Sequence, residues 1–580
     1  MLAVTRKLLV GVGRGLAHPQ VRGLLFHPLT RYVASWMVAG ACAAGALYLA
    51  WVVFADPKRN DGDQGHTYID FGGQYLMGRM LVRGQGQNLY RRSAQREVLK
   101  EAYPLYEETP PDLRTAEEKG KHDADNLMLA FMGLDNPGPV ASLATPLASQ
   151  NPFEVLTLTA GGLNQWDAKH LEEAAHNRGG PLYPPINALV YYPLALFPAL
   201  PAYRIDQVLG ILLAFLAGLG VSYLTQGRIW WPVATACIII FPGFCGSLNL
   251  GQNAALTLAI LTWGWALIAR GRPVAGGIVW GLLAFKPVWA LAYFLVPLVT
   301  LRWRVCLAMV LTGAFLAAAT LPLVGLHSWF DWLKVGQEAA GLYKYDENWI
   351  QLSRDVLSLP RKGFDFSAPL EELRDNVPAV LVGWMMIAGF LELTLRVAVL
   401  RWSRLRAVTG PGPAFLFLAS WLTCFHFMYY DSLLGVLPAF LLFPEPRRYL
   451  KPILVAIVPW SRTWRKAAAW KDIYRRRLPR GLPTRALLRA GPGQVWVLNR
   501  MVPSLLVLMV FLYNFYNLRD PPYDTYGLMA LWLWCGWLLM RRNKETGKTV
   551  EEAPQTKGTE LLPSYSPRPR FGGEGLEVRG

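Results

Sequence analysis

Apolar runs of about twenty residues, separated by short clusters of arginine and lysine, recur along most of this 580-residue chain. A bilayer core about 30 Å thick takes roughly 20 apolar residues of helix to cross, so such runs predict transmembrane helices. The first covers Val33 to Phe54, behind Arg6, Lys7, Arg14, Arg22 and Arg31 and ahead of the first acidic residue, Asp56. It is too long for a signal-peptide core and lacks a clear small-residue cleavage site. Further candidates span 203–224, 229–247, 253–269, 274–285, 288–301, 305–324, 379–400, 413–426, 427–443, 496–515 and 523–540.

Basic residues favour the cytoplasmic ends of such helices. Alternating placement puts Arg228, Arg270, Arg272, Arg302, Arg304, Arg401, Arg404, Arg406, Arg447, Arg448, Arg541 and Arg542 on that side. The parity requires Pro184–Pro198 to lie on the outer surface without crossing, consistent with its prolines and short length. The fold expected is an all-α polytopic bundle of about 12 transmembrane helices, within a range of 10 to 13, the runs 274–285 and 288–301 being short.

The domain map that follows has a basic cytoplasmic N-terminus at 1–32, a first helix at 33–54 and a large extracytoplasmic loop at 55–202. Transmembrane helices follow at 203–325, a second outer loop at 326–378, more helices at 379–443, a basic cytoplasmic loop at 444–495 and two last helices at 496–540. Residues 541–580 read as a disordered cytoplasmic tail. Arginines between 462 and 489 suit a loop lying on anionic headgroups. Both termini are expected inside, and the compact loops favour a bacterial plasma membrane.

Composition agrees. Hydrophobic residues make up 53% of the chain and charged residues 17%, with 23 tryptophans, against about 25% charged in an average soluble protein. The net charge of +18 sits in loops between apolar runs rather than on a contiguous basic face, which argues against nucleic acid as a partner. All six cysteines fall inside apolar runs and none forms a CxxC pair, so no disulfide framework or zinc site is readable.

Ionisable and polar residues that interrupt membrane segments are costly and are candidates for function. Five such breaks occur. They are Asp70 within 68–75, Tyr183-Pro184-Pro185, Gly251-Gln252-Asn253, Phe285-Lys286-Pro287, and the run from His426 to Asp431 that contains Tyr430. The loop 326–378 adds Asp331 and Arg354. Each has a plainer reading. Lys286 could snorkel to headgroups, Gln252 and Asn253 could cap a helix, Tyr183 could be structural, His426 could be an interfacial histidine, and Asp70 could be a solvated carboxylate. The topology puts all five on the outer side, the pattern of a cavity open to that face. If the last break is helical, His426 and Tyr430 share a face.

In their order, these residues resemble the GT-C glycosyltransferases of family 87, which are polyprenyl-phosphate-mannose-dependent mannosyltransferase-like. The resemblance rests on Asp70-Phe71 with Tyr75, Gly84 and Leu89-Tyr90, on Tyr183-Pro184-Pro185, and on Gly251-Gln252-Asn253. It continues through Gly271-Arg272, the run Gly281 to Pro287 with Lys286, Arg302-Trp303-Arg304, and the outer turn with His426. The family often carries two histidines at that turn, whereas this chain has one, and the stretch 101–171 is longer than the family's loop. The resemblance implies a hexosyltransferase taking a sugar, mannose in the family, from a polyprenyl-phosphate donor to an envelope lipid or glycan acceptor, with inversion.

That chemistry needs a carboxylate to accept the acceptor's hydroxyl proton and positive donors for the departing phosphate. Asp70 is expected as the base and Lys286 and His426 as the phosphate-binding pair. Tyr183, Gln252, Asn253, Asp331 and Tyr430 are expected substrate contacts. Asp61 and Asp63 could hold Mg²⁺ or Mn²⁺ as hard oxygen ligands, although two loop carboxylates are commonly just solvated, and no metal is assigned. The rival expectations are a secondary transporter or flippase for a glycan or lipid-linked substrate, and a non-catalytic envelope scaffold.

Overall fold

A computed structural model describes residues 28–54, 70–91, 94–95, 97–98, 181–225, 229–342, 350, 352–362, 377–442 and 522–540. Asp61, Asp63, the stretch 101–171, the basic loop, the expected crossing 496–515 and the tail 541–580 lie outside the described residues. Among the described residues the secondary structure is helical, with one isolated antiparallel bridge, Ser353 to Met428, and no strand. A membrane explains this, because a helix satisfies its backbone groups internally whereas an open sheet edge in lipid cannot.

The helices are α1 (Pro28–Phe54), α2 (Asp70–Val82), α3 (Ile186–Tyr191), α4 (Ala199–Leu224), α5 (Trp231–Ile240), α6 (Phe244–Leu250) and α7 (Ala254–Ala269). They continue with α8 (Pro273–Gly281), α9 (Pro287–Val299), α10 (Trp303–Leu342), α11 (Val377–Leu405), α12 (Pro411–Leu422), α13 (Val436–Leu442) and α14 (Tyr523–Met540). Four stretches are long and apolar enough to cross a membrane: Tyr32–Trp51, Ala199–Leu224, Trp303–Gln337 and Ala379–Leu405. The bent pair α5–α6, turned by 71°, makes a fifth if it counts as one span.

Other expected crossings are shorter. The 16 residues of α7 extend only about 24 Å at 1.5 Å per residue. The expected run 274–285 is α8 followed by a 3-10 turn, Leu282–Phe285. The expected run 427–443 is a 3-10 segment, Tyr429–Gly435, followed by α13. Helix α10 breaks at Gly325 (φ 71°, ψ 163°), just past the end of the expected crossing 305–324.

Helix α7 is apolar around its circumference, and a helix of that kind belongs in an interior. It packs against α4 and α8, and α8 packs on α10. Close approach depends on small residues, as is common in lipid: a Cβ on Gly264 would fall 2.1 Å from the Trp280 ring. Outward residues such as Val399, 82% exposed, and Phe315, 70% exposed, are apolar, as a lipid-facing surface requires.

Arginines gather at one end of this bundle. Arg302 Nη2 donates to Arg406 O at 3.0 Å and its guanidinium lies 5.0 Å over Trp265, near the end of α7, while Arg270 Nη2 donates to Tyr223 O at 2.8 Å. The polar breaks lie at the opposite ends of α7, α8 and α9.

Near those breaks, α14 is fastened by a buried charged knot. Arg354 Nε lies 3.1 Å from Asp524 Oδ1, Ser432 Oγ donates to Asp524 Oδ2 at 2.6 Å, and Thr525 Oγ1 donates to Arg354 O at 3.0 Å. All four residues are at most 2% exposed.

Candidate active site

Proline restricts the residue before it to extended backbone and interrupts a helix. At Phe285-Lys286-Pro287 this ends one helical segment and starts α9, leaving Lys286 between them at φ −131°, ψ 79°. Its side chain does not snorkel. The Nζ donates to both Asp431 oxygens at 2.9 Å, with Lys286 9% and Asp431 1% exposed. The same Nζ stands 5.4 Å from the Tyr430 ring centroid, within cation–π range.

Asp431 is delivered by the 3-10 segment, which seats in the bend between α5 and α6. Gly243 makes that bend. Its φ of 88° is left-handed, and a Cβ there would come within 2.4 Å of Tyr430 O, so conformation and space both require glycine. Trp421 Nε1 donates to Asp431 O at 3.3 Å and fixes the segment from the other side.

His426 lies in the turn between α12 and the 3-10 segment. Met428 is extended (φ −102°, ψ 172°), so residues 423–428 are not helical and the shared helical face expected for His426 and Tyr430 does not form. Segment 352–362 runs beside this turn, with Arg354 N–H donating to Phe427 O at 3.1 Å. Asp355 accepts the Ser358 N–H at 2.8 Å and the Phe427 N–H.

Burial raises the Asp355 carboxyl above its usual range, against the pull of His426 and then Arg361. Burial likewise lowers His426 below its ordinary 6.5; Asp355 opposes this, Lys286 adds to it, Asp431 opposes it and Arg361 adds to it. Lys286, His426, Tyr430, Asp431 and Asp355 therefore form one electrostatic neighbourhood.

A second knot is built of amides. Gly251 is left-handed (φ 62°), and a Cβ on it would sit 2.5 Å from Phe71 Cβ. This contact brings the start of α2, whose first residue is Asp70, to the Gly251-Gln252-Asn253 turn. Gln74 Nε2 donates to Gly251 O at 3.2 Å, and Asn253 Nδ2 donates to Gln74 Oε1 at 3.0 Å. Asn253 precedes α7 but makes no side-chain capping bond, so its amide serves the interface with α2 and not the helix end. Gln252 Nε2 donates to the Tyr183 hydroxyl at 2.9 Å.

Asn187 links the two knots: its Nδ2 donates to Phe285 O at 2.9 Å beside Lys286, and its backbone N–H donates to Pro184 O at 2.9 Å, next to Tyr183. Asp331 belongs to a third group at the rim. Its Oδ2 lies 3.0 Å from His327 Nε2, and its charge adds to burial in holding the Tyr90 hydroxyl well above its ordinary range. Tyr90 OH donates to Tyr183 O at 2.5 Å, linking this rim to the amide knot.

Asp431, Asp355, Gln74 and Asn187 are site residues that sequence reasoning did not select. The break at His426 to Asp431 did contain Asp431, and an acid inside an apolar stretch with a lysine at another break was the available signal. Gln74 and Asn187 carry no such mark, since only the contact between distant segments gives them a role. Among the described residues, no group of three or more His, Cys, Asp or Glu side chains could hold a metal ion.

Residues 182–434 match the model of glycosyltransferase family 87, which supports assigning the chain to that family of GT-C glycosyltransferases. No curated protein and no solved structure matches the chain.

Proposed function

Taking this membrane glycosyltransferase of family 87 as the premise, we propose that it moves mannose from a polyprenyl-phosphate donor to an envelope lipid or glycan acceptor on the extracytoplasmic side. The bundle in this reading has about twelve crossings, counting the short helices, with both termini in the cytoplasm of a bacterial cell. Nucleotide sugars are confined to the cytoplasm, so a donor used outside must be lipid-linked, with its tail in the bilayer and its phosphate at the interface.

The step is a single displacement. The acceptor oxygen attacks the anomeric carbon, the bond from that carbon to the phosphate oxygen breaks, and its electron pair leaves on the phosphate. Asp70 takes the acceptor's proton, and the configuration inverts. An ammonium has three N–H donors; two of those on Lys286 point to Asp431, which leaves one for the donor phosphate beside His426. Tyr183, Gln252, Asn253, Asp331 and Tyr430 contact sugar or acceptor. Asn253 Oδ1 is buried without a hydrogen-bond partner, an acceptor suited to a sugar hydroxyl.

The observation that supports this reading is that the Lys286–Asp431 pair with its neighbour His426, and the amide knot on which the start of α2 packs, lie at the end of the bundle opposite its arginines. The test is incubation of purified protein with radiolabelled polyprenyl-phosphate mannose and a panel of lipid acceptors. Transfer to an acceptor with retained configuration would overturn the single displacement. Sugar flux in proteoliposomes without any transfer would favour a transporter.

A further inference from the structure

The outer end of the bundle buries more cations than the proposed phosphate pair. Arg354 is held by Asp524 at 3.1 Å and Lys286 by both oxygens of Asp431 at 2.9 Å, and the half-buried Lys362 donates its Nζ to Ile350 O at 2.7 Å. Arg361 differs. It is only 7% exposed, yet its Nε and Nη1 are buried with no hydrogen-bond partner. Buried guanidinium groups are normally paired, because a charge removed from water without compensation is costly.

The position of Arg361 is fixed from several sides. It closes the 3-10 turn Leu359–Arg361, which packs against α11. The segment leading into that turn is pinned by the Arg354 N–H bond to Phe427 O and by the Ser353–Met428 bridge, at the two residues that follow His426. Asp355 is a carboxylate that acts on Arg361, but its Oδ1 accepts the Ser358 N–H at 2.8 Å. Arg361 and Lys286 both act electrostatically on His426, so the guanidinium with its unpartnered N–H groups belongs to the neighbourhood of the proposed leaving group.

We infer that Arg361 is a phosphate-binding residue, its planar fork of N–H groups donating to the phosphate oxygens of the lipid-linked donor. This rests on the transferase reading above and adds to it the group that takes the leaving charge. Guanidinium matches phosphate bidentately, whereas an ammonium acts as a point charge. Lys286, with two of its three donors engaged, cannot supply a fork. As the anomeric bond breaks, the phosphate gains negative charge, and a guanidinium with unpartnered N–H groups, held by the 3-10 turn, stabilises that charge.

The experiment measures binding of farnesyl phosphate, farnesol and inorganic phosphate to purified full-length wild type, Arg361→Gln and Arg361→Lys. Wild type should bind farnesyl phosphate at least ten-fold more tightly than farnesol. Arg361→Gln should remove that preference and leave farnesol binding unchanged. Arg361→Lys, which keeps the charge and loses the fork, should lose part of the preference, and it replaces the Gln variant if that one does not fold.

Equal farnesyl phosphate affinity in wild type and folded variants would overturn the role of Arg361 while leaving the donor reading intact. Wild type that does not prefer farnesyl phosphate to farnesol, yet binds inorganic phosphate only with Arg361 present, would keep the anion site and remove the lipid-linked donor.

Discussion

The pair Lys286–Asp431 offers the most direct test of how the site is built. Its atoms stand 2.9 Å apart with side-chain exposures of 11% and 1%. At that distance and an effective dielectric of about 20, the attraction is about 6 kcal/mol, set against desolvation of both ions. Removing one partner leaves the other charge buried alone and costs about 3–5 kcal/mol. Asp431→Asn and Lys286→Met should each lower stability by that amount. The double variant Lys286→Met/Asp431→Leu, with no charge left to bury, should recover most of the loss.

The assay is unfolding of detergent-solubilised protein by denaturant, followed by tryptophan fluorescence and arranged as a double-mutant cycle. Non-additivity isolates the interaction between the two side chains. Transfer activity measured on the same samples should not recover in the double variant, since the ammonium proposed to face the donor phosphate is gone. Single variants within about 0.5 kcal/mol of wild type, the range of ordinary surface changes, would refute the reasoning. So would a double variant whose loss equals the sum of the singles.

Other outcomes follow from the same geometry. Asp70→Asn should lower the transfer rate by about 10²- to 10⁴-fold, the usual contribution of a general base, with an unchanged unfolding midpoint. His426, lowered from 6.5 by burial, should titrate below that value, so folded protein binds fewer protons than unfolded protein in this window. Stability from this group should therefore be fully present above pH 6.5 and decline as pH falls toward the folded value. Asp355→Asn should move the His426 titration further down and Arg361→Gln should move it up, as read from the pH dependence of histidine modification by diethyl pyrocarbonate. Gly251→Ala should destabilise the protein by about 1–2 kcal/mol from the left-handed backbone alone, and more through the clash with Phe71; its activity should fall further than its stability because the start of α2 shifts.

Much of the fold was legible because bilayer thickness writes itself into sequence as run length. The runs beginning at Val33, Tyr203, Val305 and Ala379 correspond to helices long enough to cross. Periodicity could not show where such a run bends. The run 229–247 turns by 71° because Gly243 adopts a backbone that a side chain would forbid, and Tyr429–Gly435 winds as a 3-10 segment because it must fit that notch.

Site legibility followed a similar division. Lys286 stood out because a lysine beside a proline in an apolar stretch demands a partner, but the partner lies 145 residues away and no local pattern joins them. Arg361 was invisible, since an arginine in a polar loop looks solvated until the burial around it is known.

The knot of Arg354 with Asp524 bears on how much chain the enzyme needs. The matched segment ends at 434, whereas the carboxylate that neutralises Arg354 comes from α14, and Gln74 and Phe71 reach in from well before 182. A protein trimmed to the matched boundaries would strand a guanidinium in its interior and open the wall behind the Gly251 turn. The smallest competent unit therefore runs from at least α2 through α14, and the segment shared with the family is a part that its own flanks complete.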